Sequence, residues 1–114
     1  MDRIKKYQNI IHQIMQETHA MMSKTGKRVE DIIVLDDERG HYLLYTDRWR
    51  DRHSRIYGCY LHIDLAEDGK VWLKYDGTDL EIGQQLLDAG VAGKDLVLAW
   101  ISPSRRADTG YAVA

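Results

Sequence analysis

Residues that can pack against a core recur every three or four positions at the start of the chain, at Ile4, Tyr7, Ile11, Ile14, Met15, Thr18 and Met22. This is the spacing of one buried helical stripe, and it predicts a first helix from Ile4 to about Met22 with His12, Gln16 and His19 on the solvated side. The basic stretch Ser23–Val29 reads as a surface loop, with Gly26 expected to end the helix.

The period then changes from helical to extended. Ile32–Leu35 and His41–Thr46 are β-rich runs separated by Asp37-Glu-Arg-Gly40, and a left-handed Gly40 would close a three-residue hairpin. The polar connection Asp47–Arg55 is expected to be an exposed loop. In the third strand, Cys59, Leu61, Ile63 and Leu65 alternate with Tyr60, His62 and Asp64, so the first set is expected in the core and the second on the opposite face. After the turn at Glu67-Asp68-Gly69, Val71–Tyr75 returns as a fourth strand. A two-residue turn would set Leu65 against Trp72 and Ile63 against Lys74. A three-residue loop ending in a left-handed Gly69 sets Leu65 against Val71 and Ile63 against Leu73, which alone keeps the core face apolar. That register puts Trp72 opposite Asp64 and Lys74 opposite His62.

Thr78-Asp-Leu-Glu81 fits a capping box and predicts a second helix over Asp79–Ala89, with Ile82, Leu86 and Ala89 as its core stripe and Gly90 as its C-terminal cap. Leu96–Ile101 reads as a buried last strand, stopped by Pro103. The order helix, four strands, helix, strand specifies an α+β domain over residues 1–114. It has an N-terminal helix, a mainly antiparallel sheet of about five strands, and a second short helix before the last strand; both helices are expected on one face.

Composition narrows the functional classes. A 114-residue chain with 44% hydrophobic and 30% charged residues is the length and make-up of one soluble globular domain. A net charge of -2 gives no general attraction to polyanions, so nucleic-acid contact would have to be local. The single cysteine cannot form an internal disulfide, the N-terminus reads as amphipathic rather than as a signal region, and no apolar run approaches the ~20 residues that span a bilayer. The chain reads as cytoplasmic, with no membrane role.

Three groups of residues carry candidate chemistry. His62 and Asp64 share a strand face and are candidates for a general base or two metal ligands, but zinc normally takes three or four ligands and Cys59 is expected on the other face. A polar sheet surface is the favoured reading, with neither a metal nor a cofactor. Arg48, Arg50, Arg52 and Arg55 surround Trp49 and His53, a mixture able to hold phosphates and stack on a base; Asp47 and Asp51 dilute it. Arg105 and Arg106 are further candidates for such contact. Tyr60 and Trp72, with Trp49 as a further candidate, would form an aromatic patch on the face without helices, covered either by a loop or by a partner. Phosphate-binding glycine loops, serine-nucleophile elbows and paired zinc cysteines are absent, which argues against the common enzyme classes.

The segments Ile56-Tyr-Gly-Cys59, Leu61-His-Ile-Asp64, Gly69-Lys-Val-Trp72, Ala89-Gly-Val91, Asp95-Leu-Val-Leu98 and the tail Ser102–Ala114 together closely resemble the XisI family, the cyanobacterial fdxN element excision controlling factors. The resemblance runs from the Tyr7 helix to Tyr111-Ala-Val-Ala114. It departs at Ala92-Gly93, where the family tends to carry a proline, and in the arginine density around Trp49. It implies an accessory protein in programmed DNA excision that acts with a XisH-like partner, while a separate recombinase exchanges strands. It transfers no catalytic residues. The leading expectation is a non-enzymatic regulatory subunit binding a XisH-like protein, with room for a homodimer. Direct DNA binding through Arg48–Arg55 and Arg105–Arg106, and a small enzyme built on His62 and Asp64, are the alternatives.

Overall fold

A computed structural model describes residues 2–23 and 31–114, with Ser23 described only in its backbone. The element order is α1 (Arg3–Ser23), β1 (Ile32–Asp36), β2 (His41–Trp49), β3 (Arg55–Leu65), β4 (Val71–Asp76), α2 (Ile82–Ala89) and β5 (Leu96–Leu98), with short 3₁₀ turns at Gly93–Asp95 and Pro103–Thr109. The expected α+β architecture is therefore present. The expected helix end at Gly26 lies outside the described residues.

The five strands form one sheet in the order β1-β2-β3-β4-β5, antiparallel except for β4 and β5, which run parallel across the α2 connection. Parallel neighbours need such a crossover, and α2 supplies it. Tyr7, Ile11, Ile14 and Met15 of α1 and Ile82 and Leu86 of α2 share one core with Tyr42, Leu44, Leu61, Ile63, Val71 and Leu73 of the sheet. Both helices thus cover the same face. Ala89, expected in the α2 stripe, is exposed instead.

Hairpin geometry follows the glycines. Gly40 has φ +74° and Gly69 φ +89°. The first connection is nevertheless four residues long, Asp37–Gly40, because Asp36 pairs with His41. The β3–β4 register is as expected for Leu65–Val71, Asp64–Trp72 and Ile63–Leu73, but His62 faces Tyr75. Lys74 is an extra residue in β4, so the expected Lys74–His62 pair is replaced.

A second irregularity changes the parity of β3. Leu44 pairs with Leu61 while Tyr45 pairs with Cys59, leaving Tyr60 as the bulged residue. A bulge shifts every position on one side of it to the other face. Tyr60, expected beside Trp72, packs against the core instead, and its hydroxyl donates to Asp31 Oδ2 at 2.8 Å. Cys59, expected in the core, is exposed.

The helix-start chemistry also differs from expectation. α2 begins at Ile82, and Glu81 precedes it with φ +52° and no side-chain cap bond. Asp76 does the capping: its carboxylate accepts from Thr78 N (2.9 Å), Thr78 Oγ1 (2.6 Å) and Ile82 N (3.2 Å). The Thr78 hydroxyl accepts from the Leu80 amide at 3.2 Å, but Glu81 closes no capping box, because Asp76 reaches the helix-start amide from the end of β4. The last strand is shorter than expected, Leu96–Leu98, because the chain turns at Ala99–Trp100.

Candidate functional site

The sheet face away from the helices carries His62, Asp64, Trp72, Trp49 and Arg55 of the candidate residues, and three features are built around it. The first is a polar cluster. His41 opens β2 and is the register partner of Asp64 on β3; His62 lies two residues before Asp64 on the same face. Asp64 Oδ1 lies 2.8 Å from His41 Nδ1 and 2.7 Å from His62 Nε2, and the two rings meet edge-on with centroids 6.3 Å apart. His41 is half-exposed while Asp64 and His62 are partly buried. An open cavity of about 210 Å³ beside the cluster is lined by His41 and Asp64 together with Arg39, Trp72 and Lys74. His62 and Asp64 were legible as a pair. His41 was not, because its role depends on the β2–β3 register, which the strand pattern alone leaves open.

The second feature is the far end of the β2–β3 hairpin. β1 pairs with β2 only from His41 to Tyr45, and β4 pairs with β3 only from Leu61 to Leu65. The pairs from Thr46–Gly58 to Trp49–Arg55 therefore form a two-stranded arm beyond both neighbours among the described residues. Arg48 and Trp49, expected in a loop, belong to this strand. Strand parity sets Tyr45, Asp47, Trp49, Arg55, Tyr57 and Cys59 on one face of the arm. That face is continuous with His41 and Leu43. Trp49 is 62% and Tyr57 65% exposed. Tyr57 stacks edge-on with Tyr45 at 5.9 Å and lies under the Arg55 guanidinium at 5.0 Å.

The arginines of the arm differ in their commitments. Arg55 is paired with Asp47. Arg48 Nε is buried with no hydrogen-bond partner among the described residues. Arg50 and Arg52 are exposed in the tip, where the Arg50 amide donates to the Ser54 carbonyl at 2.7 Å. Asp51 holds the tip by accepting from the amides of His53 and Ser54, and these bonds lower its carboxyl pKa below the ordinary value. Cys59 is no activated nucleophile, because partial burial of the sulfur pushes its thiol pKa up.

The third feature is the cover over β4 and β5. Arg106 stacks over Trp72 at 5.3 Å and donates to the carbonyls of Ile101 (2.9 Å), Val113 (3.3 Å) and Ala99 (3.4 Å). The Ala112 amide donates to the Leu96 carbonyl at 2.9 Å. The C-terminal segment thus closes one end of the open face. Trp72 is only partly exposed there, and Arg106 is engaged with backbone, whereas Arg105 remains exposed. The aromatic residues the chain leaves outside are Trp49 and Tyr57 on the arm and Tyr75 and Trp100 near β4; the last three went unremarked in the sequence, where nothing separates an exposed aromatic from a buried one.

No helix among the described residues is long and apolar enough to cross a membrane. No curated protein matches the chain. Two solved structures resemble it closely. One is the fdxN element excision controlling factor XisI from Anabaena variabilis ATCC 29413, with TM-score 0.85 and 28% identity over 99% of this chain and 100% of the other. The second is a XisI-like protein from the same organism, with TM-score 0.85 and 31% identity over 97% of this chain and 99% of the other. The XisI protein family model matches residues 1–113, and the chain belongs to the XisI family.

Proposed function

We propose that this protein is a non-catalytic regulatory subunit that controls excision of a DNA element by docking a protein partner on the open sheet face and the β2–β3 arm. The partner class is a XisH-like protein. The observation that carries this reading is the arm itself: a two-stranded ribbon is marginally stable alone in water, yet this one presents Trp49 and Tyr57 more than half exposed. Exposed aromatic side chains are typical interface anchors, each able to bury roughly 150–250 Å². The name carried by the Anabaena relative supplies the process.

The test is co-expression with the XisH-like protein followed by size-exclusion chromatography. Co-elution is expected, and Trp49→Ala or Tyr57→Ala should each weaken the complex about tenfold or more, the range of an interface hot spot. Failure of the two proteins to co-elute sinks the proposal.

Direct DNA contact has weaker support. Arg50 and Arg52 are exposed at the tip of a ribbon narrow enough for a major groove. Against this, Arg55 is paired with Asp47 and Arg106 with carbonyl groups. A gel shift at low salt that vanishes as salt is raised would favour DNA, and its absence removes that reading.

A further inference from the structure

The sequence offers His62 and Asp64 as two ligands, too few for a metal. The fold brings in a third, His41, from the neighbouring strand. We propose that His41 Nδ1, His62 Nε2 and Asp64 Oδ1 form a three-ligand site for a divalent late transition-metal ion of the zinc class.

The argument rests on donor identity, spacing and support. Two imidazole nitrogens and one carboxylate oxygen suit zinc, cobalt or nickel, whereas magnesium and calcium select oxygen ligands. The three donor atoms all lie within 4.8 Å of one another. Ligands bound at about 2.0–2.1 Å in tetrahedral or octahedral geometry stand about 2.8–3.4 Å apart. The observed separations from Asp64 Oδ1, 2.8 and 2.7 Å, lie at or just below that range, and the two imidazole nitrogens, within 4.8 Å of each other, close on an ion by rotation of their rings.

All three residues sit on adjacent strands whose register fixes His41 against Asp64, so the donors are held by the sheet rather than by a loop. His41, half-exposed, gives an ion a way in. Three protein ligands leave at least one coordination position for an external group. The cavity bordering His41 and Asp64 provides space for one, with the cations of Arg39 and Lys74 beside it. The inference stands apart from the partner-docking proposal and needs no partner.

The experiment is a titration of the tag-free chain, stripped with chelator, with cobalt(II), followed by its visible d–d absorption and by calorimetry, and then displacement with zinc. One equivalent per chain, bleached by zinc, is expected. His41→Asn and His62→Asn should each weaken binding at least ~100-fold, because each removes a direct ligand where loss of a supporting residue already costs 10–100-fold. His53→Asn, at the exposed arm tip, should bind as the parent does. Should His62→Asn fail to fold, the half-exposed His41→Asn decides alone. No saturable binding up to millimolar cobalt overturns the proposal, as does undiminished binding by His41→Asn.

Discussion

Replacing Tyr7 with phenylalanine removes one oxygen atom from a buried polar contact between distant parts of the chain. The Tyr7 hydroxyl donates to Asp95 Oδ2 at 2.6 Å and accepts from the Ala92 amide at 3.1 Å, tying α1 to the segment before β5. Tyr7 and Asp95 are each 3% exposed. Without the hydroxyl, Asp95 keeps only Arg3 among the described residues, at 3.6 Å and half-exposed, and the Ala92 amide loses its acceptor. A hydrogen bond to a charged group contributes about 1.5–3 kcal/mol, and orphaning the partly buried Ala92 amide costs about 1 kcal/mol more, so the expected loss is about 3 kcal/mol. For 114 residues at about 2.1 cal/mol/K each, the unfolding entropy is about 0.24 kcal/mol/K, which converts that loss to a Tm drop of about 12 °C. Thermal unfolding by circular dichroism measures it. A double-mutant cycle with Asp95→Ala should show a coupling of about 1.5 kcal/mol or more, because removing both partners relieves the stranded carboxylate. A drop below about 2 °C, or strictly additive costs, would refute the reasoning.

Gly40→Ala should cost more than Gly69→Ala in a denaturant melt. Both residues have positive φ, but a Cβ at Gly40 would collide with the Leu65 backbone carbonyl, whereas at Gly69 it meets the movable Arg3 side chain. Asp76→Ala should lose about 1–2 kcal/mol of stability with the α2 cap, while Glu81→Gly should gain up to about 1 kcal/mol by relieving a left-handed residue; a capping box would make Glu81→Gly destabilising, and chemical denaturation separates the two. The pH dependence has two limbs. Burial, reinforced by the carboxyl acceptors Asp95 and Asp37, raises the Tyr7 and Tyr42 pKa values, so their contribution is complete below about pH 10 and is lost above it. Asp37 is lowered, chiefly by the bond from Tyr42 and further by His12, so its contribution is present above about pH 4 and is lost as pH falls through its folded value. Denaturant midpoints across pH check both, and Tyr42→Phe should flatten the alkaline limb.

The Tyr7–Asp95 contact shows where sequence reading stops. The helical period marks Tyr7 as inward-facing, but the partner of its hydroxyl is 88 residues away, and no local pattern specifies it. The XisI likeness, by contrast, was legible in short segments spread along the chain, and so were the α+β order and the Asp64–Trp72 register. These depend on side-chain period and turn chemistry, which are local.

The candidate site was only half legible. His62 and Asp64 lie two positions apart on one strand, a spacing that any strand reader sees. His41 joins them only after β2 has paired with β3, and Tyr60 and Cys59 exchange faces only because a bulge inserts one residue. Cap choice followed the same division: Thr78 and Glu81 have the right spacing, yet Asp76 reaches the helix start from the end of β4. The sequence by itself determined which segments become helix or strand, because apolar period, glycine conformation and proline act within a few residues. Strand register, bulge position and the end of the sheet covered by the C-terminal segment were decided by the tertiary structure. These are settled by packing between segments distant in the chain, where one extra residue reverses every side chain beyond it.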